Sequence, residues 1–328
     1  MKSYHMDQND PALNLALEEV LFRRLGPAFP GCFLLWQNAP SVIVGRHQNT
    51  REEVDADWLA ARAIPVVRRH TGGGAVYHDL GNLNFSFMEY APERKRVDFA
   101  RYLEPICAAL ARLGVAARLT GRNDLEAGGR KISGSAQSLR EGRVLHHGTL
   151  LVDLNFTDMV AALSVDPEKY RSKGVASVRA RVANISEFWR PGTTMADLRA
   201  ALAACCAPDA PPEAVPADVL REAHQLAEEK YRTWEWNFGH SPAFSEQRRQ
   251  RFPWGLVDLR LEVRRGIITS CRLSGDFFAT VETAELEQRL IGVRDEPQAL
   301  QAALAGVDWE ACFSGCDPAV MQKFFIHA

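Results

Sequence analysis

Segments with strand character follow one another in adjacent pairs along the first half of the sequence, and this pairing narrows the fold class. The segments "CFLLWQN" and "SVIVGRHQ" are separated only by a turn at 38–41, and "IPVVRR" is followed by "AVYHD" and "NLNFSFM". Short turns can join antiparallel strands, whereas parallel neighbours need a crossover of about a dozen residues or more. The pattern therefore predicts an α+β fold with antiparallel or mixed sheets rather than a doubly wound parallel sheet.

Helical periodicity marks two elements that can cover such a sheet. Asp10 and Pro11 begin the first helix, whose apolar residues recur at helical spacing as far as Gly26. The second helix covers 98–114 and ends at a glycine. The segments "KISGSAQSLR" and "VLHHGTLLVDL", on either side of "EGR", are predicted to form a hairpin.

A smaller second unit is predicted at the C-terminal end of the chain. Proline and alanine dominate 207–219, which we expect to be an exposed connection, and a helix follows it at 221–236. Gly, Pro and Ser then interrupt regular structure before two strands and two helices. We therefore expect a large N-terminal domain at 1–241, a linker at 242–252 and a small α+β domain at 253–328.

Charge and composition exclude several classes of partner. The chain has 39 Lys and Arg against 41 Asp and Glu, so no overall positive field attracts nucleic acid or an anionic membrane. No segment approaches the roughly 20 apolar residues that span a bilayer, and the first residues lack an apolar signal core. The seven cysteines lack paired metal-ligand spacing, so reduced thiols are expected. These features predict a cytoplasmic protein that binds neither nucleic acid nor membranes.

The segment "RRHTGGGAVYHDLGN" at 68–82 is a candidate anion-binding turn. Three glycines between two strands expose backbone N–H groups and let a ligand approach closely. The Walker and dinucleotide signatures do not match, because a strand follows the glycines instead of a helix. Arg68 and Arg69 alternate along a strand, so we expect one of them to reach the anion and the other to be structural or solvent-facing. The alternative is an ordinary flexible hairpin with a basic flank.

Three further segments carry candidate site residues. In "GRNDLEAGGRKISGSAQ" at 121–137, Asn123 and Asp124 offer oxygen ligands for Mg²⁺, and Lys131 can meet a phosphate or carboxylate, although all three also suit ordinary turns and solvated surfaces. In "HHGTLL" at 146–151 the two histidines suit a polar strand end that lines a pocket better than direct catalysis. The basic segment "KGVASVRARVANI" at 173–185 is either a solvated strand or an edge that faces a nucleotide or partner.

In order and spacing, these four motifs resemble lipoate-protein ligase A of the biotin and lipoate ligase superfamily. The resemblance continues through "WEWNFGHSPAFS" into the C-terminal unit and so covers nearly the whole chain. It implies a catalytic domain related in fold to class II tRNA synthetases, with a small α+β accessory domain that moves during the reaction. It also implies activation of lipoate with ATP to lipoyl-AMP and pyrophosphate, followed by transfer to a lysine of lipoyl domains. The acceptors that it implies are E2 subunits of 2-oxoacid dehydrogenases and the glycine cleavage H protein.

The resemblance also implies roles for individual residues. Lys131 corresponds to the catalytic lysine, which contacts the lipoyl carboxyl end and the phosphate. Asp124 corresponds to a Mg²⁺ ligand with Asn123 in support, and His78 and Asp79 brace the glycine loop. The implied ATP-binding residues are Arg69, Gly74, Ala75, Val76, Tyr77 and Lys131, and the implied lipoate-binding residues are Lys131, Gly73, His78 and His147.

Two other functions remain open at this stage. A lipoyl or octanoyl transferase would take its acyl group from a preformed adenylate or a carrier. Bacterial transferases of this group commonly use a cysteine near the corresponding lysine, and 108–204 contains none, which favours the ligase. A non-catalytic lipoate- or adenylate-binding protein would lack Lys131 or Asp124. Biotin ligase is disfavoured because its G-R-G-R-x-G loop is absent. The preferred acyl chain, lipoate or octanoate, and the oligomeric state also stay open.

Overall fold

An eight-stranded sheet forms the centre of the larger unit in the computed structural model, which describes residues 1–94, 96, 98–121, 123–163, 179–238, 246–264 and 266–326. The strand order is β11-β1-β2-β6-β10-β9-β8-β7. Strand β1 pairs in parallel with β2 and β11, and the other neighbours are antiparallel. The strands of the larger unit are β1 (Lys2–His5), β2 (Gly31–Trp36), β3 (Ser41–Val44), β4 (Val66–Arg68), β5 (Val76–His78), β6 (Asn82–Tyr90), β7 (Arg118–Thr120), β8 (Asp124–Ala127), β9 (Arg130–Arg140), β10 (Arg143–Leu151) and β11 (Pro212–Glu213).

Helices cover both faces of this mixed sheet, which confirms the predicted α+β class. Helix α1 begins after Asp10, whose carboxylate accepts hydrogen bonds from the backbone of Ala12 and Leu13, and it is buried from Pro11 to Phe22. Helices α4 and α6 pack on the opposite face. The α-helices of the larger unit within the described residues are α1 (Pro11–Arg24), α2 (Thr50–Glu53), α3 (Ala56–Ala60), α4 (Ala100–Arg112), α5 (Phe156–Ala162), α6 (Met195–Cys206), α7 (Ala217–Leu226) and α8 (Trp234–Phe238).

A separate three-stranded sheet, in the order β4-β3-β5, carries the glycine motif. Strand β3 pairs in parallel with β4 and antiparallel with β5. The glycines therefore connect two strands, as predicted, but these strands lie on either side of β3 instead of pairing with each other. The glycine connection crosses the end of β3, so it lies against Gly45, the residue that follows this strand. An ordinary hairpin is excluded.

The C-terminal unit has its own sheet and apolar core. The expected linker at 242–252 is wrong in its second half, because Glu246–Phe252 forms a strand paired with the next one. The sequence "EQRRQRF" gave no apolar alternation, since this strand lies at the edge of the sheet with most of its side chains exposed. We propose that the unit begins with this strand. It contains β12 (Glu246–Phe252), β13 (Gly255–Arg264), β14 (Ile267–Gly275), α9 (Ala284–Leu290), α10 (Pro297–Ala303), α11 (Trp309–Cys312) and α12 (Pro318–Ile326).

The two units meet beside the glycine motif. The Phe277 ring stacks on His47 with ring centroids 4.8 Å apart, and Phe278 joins the apolar core of the larger unit, where its ring lies 5.6 Å from Phe99. The Glu282 carboxylate pairs with Arg140 at 2.5 Å and with Arg46 at 3.4 Å. Apolar packing and ion pairs therefore both hold the C-terminal unit in place.

Two further predictions concern the solvent exposure of 207–219 and the presence of membrane-spanning helices. The segment 207–219, predicted to be an exposed connection, includes strand β11 and the buried residues Ala207, Val215 and Val219. Its Pro-rich composition hid this edge pairing with β1. None of the described helices is both long and apolar enough to cross a bilayer.

Candidate active site

A cavity of about 170 Å³ collects most of the predicted site residues. Three of the four motifs contribute to it, because the glycine loop, β5, β9 and β10 all carry residues that line it. Of the predicted residues, the cavity is lined by Arg69, Gly73, Gly74, Ala75, Val76, His78, Asn123, Lys131 and His147. Its remaining lining residues are Leu15, Trp36, Ile43, Asn84, Gly134, Ser135, Ala136, Gly148 and Thr149. One wall is apolar and the other carries polar and charged groups, as an amphipathic ligand requires.

The three glycines of the loop serve three different purposes. A Cβ on Gly72 would lie 2.3 Å from the Phe277 carbonyl oxygen, so this residue admits the backbone of the C-terminal unit. Gly73 has φ +93°, which disfavours other residues, and its N–H donates to the Phe277 carbonyl at 3.3 Å. Gly74 has no neighbouring atom within 4 Å of its Cβ position and lines the cavity. The prediction that the glycines expose backbone to a ligand therefore fits Gly74 best.

The loop also packs closely against Gly45, which directly follows β3. A Cβ there would lie 1.9 Å from the Gly73 carbonyl oxygen. We expect Gly45→Ala to push the loop out of place, to destabilise the protein by about 1–3 kcal/mol as overpacking does, and to weaken nucleotide binding. Denaturant unfolding and ATP titration measure the two effects. Gly26→Ala is the control, because nothing lies within 4 Å of that Cβ position, and an equal loss there would contradict this explanation.

Arg68 is a structural residue buried beneath the loop. Its guanidinium donates to the carbonyl oxygens of Gly45 at 2.9 Å and Gln48 at 2.7 Å, and to the Thr50 hydroxyl at 2.7 Å. Further bonds reach the carbonyl oxygens of Arg46, Trp236 and Asn237. The expectation that one arginine of the pair is structural is met by Arg68. All of its donor atoms are occupied by the protein itself.

Arg69, predicted to bind ATP, is clamped onto the glycine loop. Its guanidinium donates to the carbonyl oxygens of Gly72 at 2.7 Å and Gly74 at 2.8 Å, and its Nε donates to the Thr71 hydroxyl at 3.1 Å. Burial lowers the pKa of Arg69 to about 10, so the side chain stays positively charged at neutral pH. Arg69 therefore both shapes the loop and places a positive charge at the cavity wall.

Lys131 lies at the polar end of the cavity and forms an ion pair with Asp124. Its Nζ is 2.8 Å from the Asp124 carboxylate, and both side chains are partly exposed. Gly134 leaves the room for this ammonium group, since a Cβ there would lie 3.1 Å from Nζ. The Lys131 backbone pairs with 181–183 of the fourth motif, through Arg181 and Ala183. Residues 173–178 of that motif lie outside the described residues. Asp124 does not itself line the cavity but contacts Lys131, which does.

The two neighbouring histidines at the start of "HHGTLL" separate onto opposite faces of β10. His147 lines the cavity, and its Nε2 is 2.6 Å from the Thr71 hydroxyl. His146 points the other way into an aromatic cluster, where its ring stacks on Tyr102 with centroids 4.9 Å apart. The expectation that both histidines line the pocket is therefore wrong for His146. Strand alternation is the reason.

The side chains of His78 and Tyr77 likewise lie on opposite faces of β5. His78 lines the cavity, and its Nδ1 is 3.0 Å from the Asn38 amide nitrogen. Burial and the neighbouring Arg69 lower the pKa of His78 to about 3, so its ring is neutral at physiological pH. Tyr77, predicted to lie along the nucleotide, packs its ring into an apolar core on the other side of the strand. Tyr77 therefore does not line the cavity.

Sequence reasoning missed the polar residues of helix α1. Asn14, Glu18 and Glu19 are buried in a helix that is otherwise largely apolar. Asn14 and Glu18 are four residues apart and so lie on one face, next to Leu15 of the cavity wall. The signal was present in "PALNLALEEV", where polar residues interrupt an apolar run. Their partners could not be read from the sequence.

Comparison with known proteins agrees with this geometry. The family model "Lipoyl protein ligase A/B catalytic domain" matches residues 10–207, and "Bacterial lipoate protein ligase C-terminus" matches 241–325. Lipoate-protein ligase LplJ of Bacillus subtilis is 42% identical over 93% of each chain. Lipoate–protein ligase 1 of Staphylococcus aureus is 40% identical over 94% of each chain.

Solved structures show the same fold. A Plasmodium falciparum LipL1 complex with lipoate superposes with a TM-score of 0.78 at 24% identity, and covers 94% of both chains. A lipoate-protein ligase A bound with ATP has a TM-score of 0.62 at 29% identity, and covers 73% of this chain and 99% of its own. Since a family model matches more than half of the chain and two curated ligases match it at 40% identity or more, the protein belongs to the lipoate-protein ligase family.

Proposed function

We propose that this enzyme joins lipoate to ATP to form lipoyl-AMP and pyrophosphate, and then transfers the lipoyl group to a lysine of a lipoyl domain. The observation that carries the proposal is the placement of Lys131, whose ammonium group lies in one cavity with an apolar wall and the glycine loop. Solved relatives with bound lipoate and with bound ATP support this assignment.

The apolar wall suits the hydrocarbon part of the acid. Leu15, Trp36, Ile43 and Val76 form this wall and are largely buried. An acid lying along them with its carboxylate toward Lys131 places an apolar chain on apolar side chains and a negative charge beside a positive one. Octanoate has the same division of character, so this argument applies to either chain. Gly73, His78 and His147 also line the cavity and contact the acyl group in this arrangement.

The first step needs the carboxylate to be aligned with the α-phosphate and the negative charge between them to be stabilised. A carboxylate oxygen attacks the α-phosphorus, a new O–P bond forms, and the bond to the β-phosphate bridging oxygen breaks as pyrophosphate leaves. Lys131 can neutralise negative charge between the carboxylate and the α-phosphate. The loop from Gly74 to Val76 supplies backbone N–H groups, and Arg69 adds a fixed charge. We assign the ATP phosphates to this loop.

Mg²⁺ fits this site only together with the nucleotide. Asp124 supplies one carboxylate, and the Asn123 side-chain nitrogen donates to the Ser135 carbonyl at 2.6 Å, which leaves its amide oxygen as a possible ligand. Within the described residues no three His, Cys, Asp or Glu side chains form a metal cluster. One carboxylate and one amide oxygen suit an ion that takes its other ligands from phosphate and water. When bound, Mg²⁺ reduces the negative charge of the phosphates.

The second step requires no covalent enzyme intermediate. The neutral acceptor amine attacks the acyl carbon, a C–N bond forms, the bond to the AMP oxygen breaks, and the amine proton leaves to solvent or phosphate. None of the seven cysteines lines the cavity. All seven are free thiols, as expected for a reducing cytoplasm, where we place the enzyme. Lipoyl domains of E2 subunits and the glycine cleavage H protein are the acceptors that we propose.

Mass spectrometry of an apo lipoyl domain tests this function. With ATP, Mg²⁺ and lipoate, we expect one lipoyl group on the acceptor and release of pyrophosphate. Without acceptor, lipoyl-AMP should form and stay bound. Transfer only from synthetic lipoyl-AMP, with no pyrophosphate from free lipoate, would make the protein a transferase. Binding without either product would make it a non-catalytic binding protein.

A further inference from the structure

Helix α1 places a buried carboxylate directly behind the cavity. Glu18 is 1% exposed, yet among the residues that the structure describes no Lys or Arg side chain pairs with it. Its carboxylate instead faces His147 Nδ1, at 2.8 and 2.9 Å from its two oxygens, and accepts a hydrogen bond from the Ser86 hydroxyl at 2.6 Å. Burying a carboxylate in this way costs free energy that must be offset by its hydrogen bonds. Glu18 itself does not line the cavity.

The Glu18 contacts fix the direction of a chain of hydrogen bonds. A carboxylate only accepts, so His147 Nδ1 donates to it. In the neutral ring Nε2 is then an acceptor, and the Thr71 hydroxyl 2.6 Å away donates to it. The Thr71 oxygen in turn accepts from Arg69 Nε at 3.1 Å. The chain ends at the guanidinium that holds Gly72 and Gly74.

Electrostatics point in the same direction. Arg69 is buried, and no carboxylate in the described part of the chain contacts it directly. Glu18 is the acidic group whose charge favours protonated Arg69. The pair is separated by His147 and Thr71, which carry the hydrogen bonds between them. Charge and hydrogen bonding therefore both link helix α1 to the loop.

The other pocket histidine is held from the same helix face. One turn before Glu18, the Asn14 side chain donates to the Asn38 side-chain oxygen at 2.9 Å. Asn38 in turn contacts His78 Nδ1 at 3.0 Å. Helix α1 thus orients one ring nitrogen of each of these two histidines. It contacts His147 directly through Glu18 and His78 indirectly through Asn38. This recurrence argues against a chance burial of polar residues.

We propose that Glu18 is a positioning residue for the ATP-binding loop. It holds His147 in the Nδ1-protonated form, so that Nε2 accepts from Thr71 and the Thr71–Arg69 contact keeps the glycine loop in its nucleotide-binding shape. This inference rests on the proposed function, since it assigns the ATP phosphates to that loop. Glu18 touches neither substrate and acts through His147.

Glu19 provides a matched control on the same helix. It is also buried, at 2% exposure, but it faces Lys230 at 2.6 Å and the Tyr231 hydroxyl, away from the cavity. Burial alone would raise the pKa of Glu19, but Lys230 and the hydrogen bonds of Lys230 and Tyr231 lower it to about 2. A purely structural role for buried carboxylates predicts the same outcome at both positions.

The test compares Glu18→Gln with Glu19→Gln by ¹⁵N NMR of histidine and by kinetics. In Glu18→Gln the amide can donate to Nδ1, so we expect the His147 proton to move to Nε2, as in other histidines that lose an orienting carboxylate. The KM for ATP should rise or adenylation should fall by about 10- to 100-fold. Glu19→Gln should lower the Tm while leaving the His147 signal and the KM for ATP unchanged.

Two results would overturn the inference. One is an unchanged His147 signal in Glu18→Gln; the other is a changed signal with an unchanged KM for ATP and unchanged adenylation. If Glu18→Gln does not fold, Thr71→Val breaks the same chain from the loop side and should raise the KM for ATP similarly; an unchanged value would contradict the proposal. The NMR signal is recorded without substrates, so it still reports on Glu18 if the proposed reaction fails in the wild type.

Discussion

Replacing Lys131 by alanine is expected to lower lipoyl-AMP formation and transfer by about 100- to 1,000-fold, the loss typical of one preorganised charge donor. The ammonium group is the cavity's compact positive charge near the expected carboxylate, and Asp124 at 2.8 Å keeps it in place. Pyrophosphate release reports the first step, and transfer from synthetic lipoyl-AMP reports the second.

Lys131→Arg should also lose most of the activity, because a planar guanidinium is wider than the space that Gly134 leaves. Lys2→Ala is the matched control: Lys2 is half exposed, pairs with Glu213 at 3.2 Å, and lies outside the cavity. Near-normal pyrophosphate release by Lys131→Ala would show that the charge assignment is wrong and that Arg69 or the loop alone carries the step.

Arg68→Lys is expected to cost the fold at least about 3 kcal/mol of unfolding free energy, because several buried carbonyl groups lose their donors at about 1–3 kcal/mol each. The guanidinium reaches Gly45, Gln48 and Thr50 at one end and the carbonyl oxygens of Trp236 and Asn237 at the other. A lysine ammonium has three donors at a single point and cannot span this set.

Denaturant unfolding measures this loss. Arg264→Lys is the control, because that side chain is 73% exposed and surface substitutions usually stay within about 0.5 kcal/mol. A comparable stability for Arg68→Lys and Arg264→Lys would mean that the buried carbonyl groups find water or other donors. The conservative exchange is informative because it keeps the positive charge and changes only the geometry of donation.

Much of the fold and half of the site could be predicted because they depend on the order and type of residues that are close together in the sequence. Adjacent apolar segments separated by short turns predicted the mixed sheet, and Asp10 and Pro11 predicted the start of helix α1. The glycine turn, Lys131 and His147 could be chosen because their residue types suit phosphate and carboxylate chemistry. The cavity does bring these residues together.

The rest depends on which side chains meet in three dimensions. Neighbouring residues on a strand point to opposite faces, so Arg68 and Arg69, or His146 and His147, divide between structure and cavity, and no local pattern shows which is which. The partner of Glu18 lies on a strand far along the chain. Strand β12 was missed because an exposed edge strand needs no apolar alternation.

The close approach of Gly72 to Phe277 affects how variation in this family should be interpreted. A residue larger than glycine at 72 would collide with the C-terminal unit, although a nucleotide-binding explanation would suggest itself first. The colliding partner is a backbone carbonyl, which every amino acid carries, so no substitution at 277 relieves the constraint on 72. Covariation between homologous sequences would therefore not detect this contact, even though the junction between the two units depends on it.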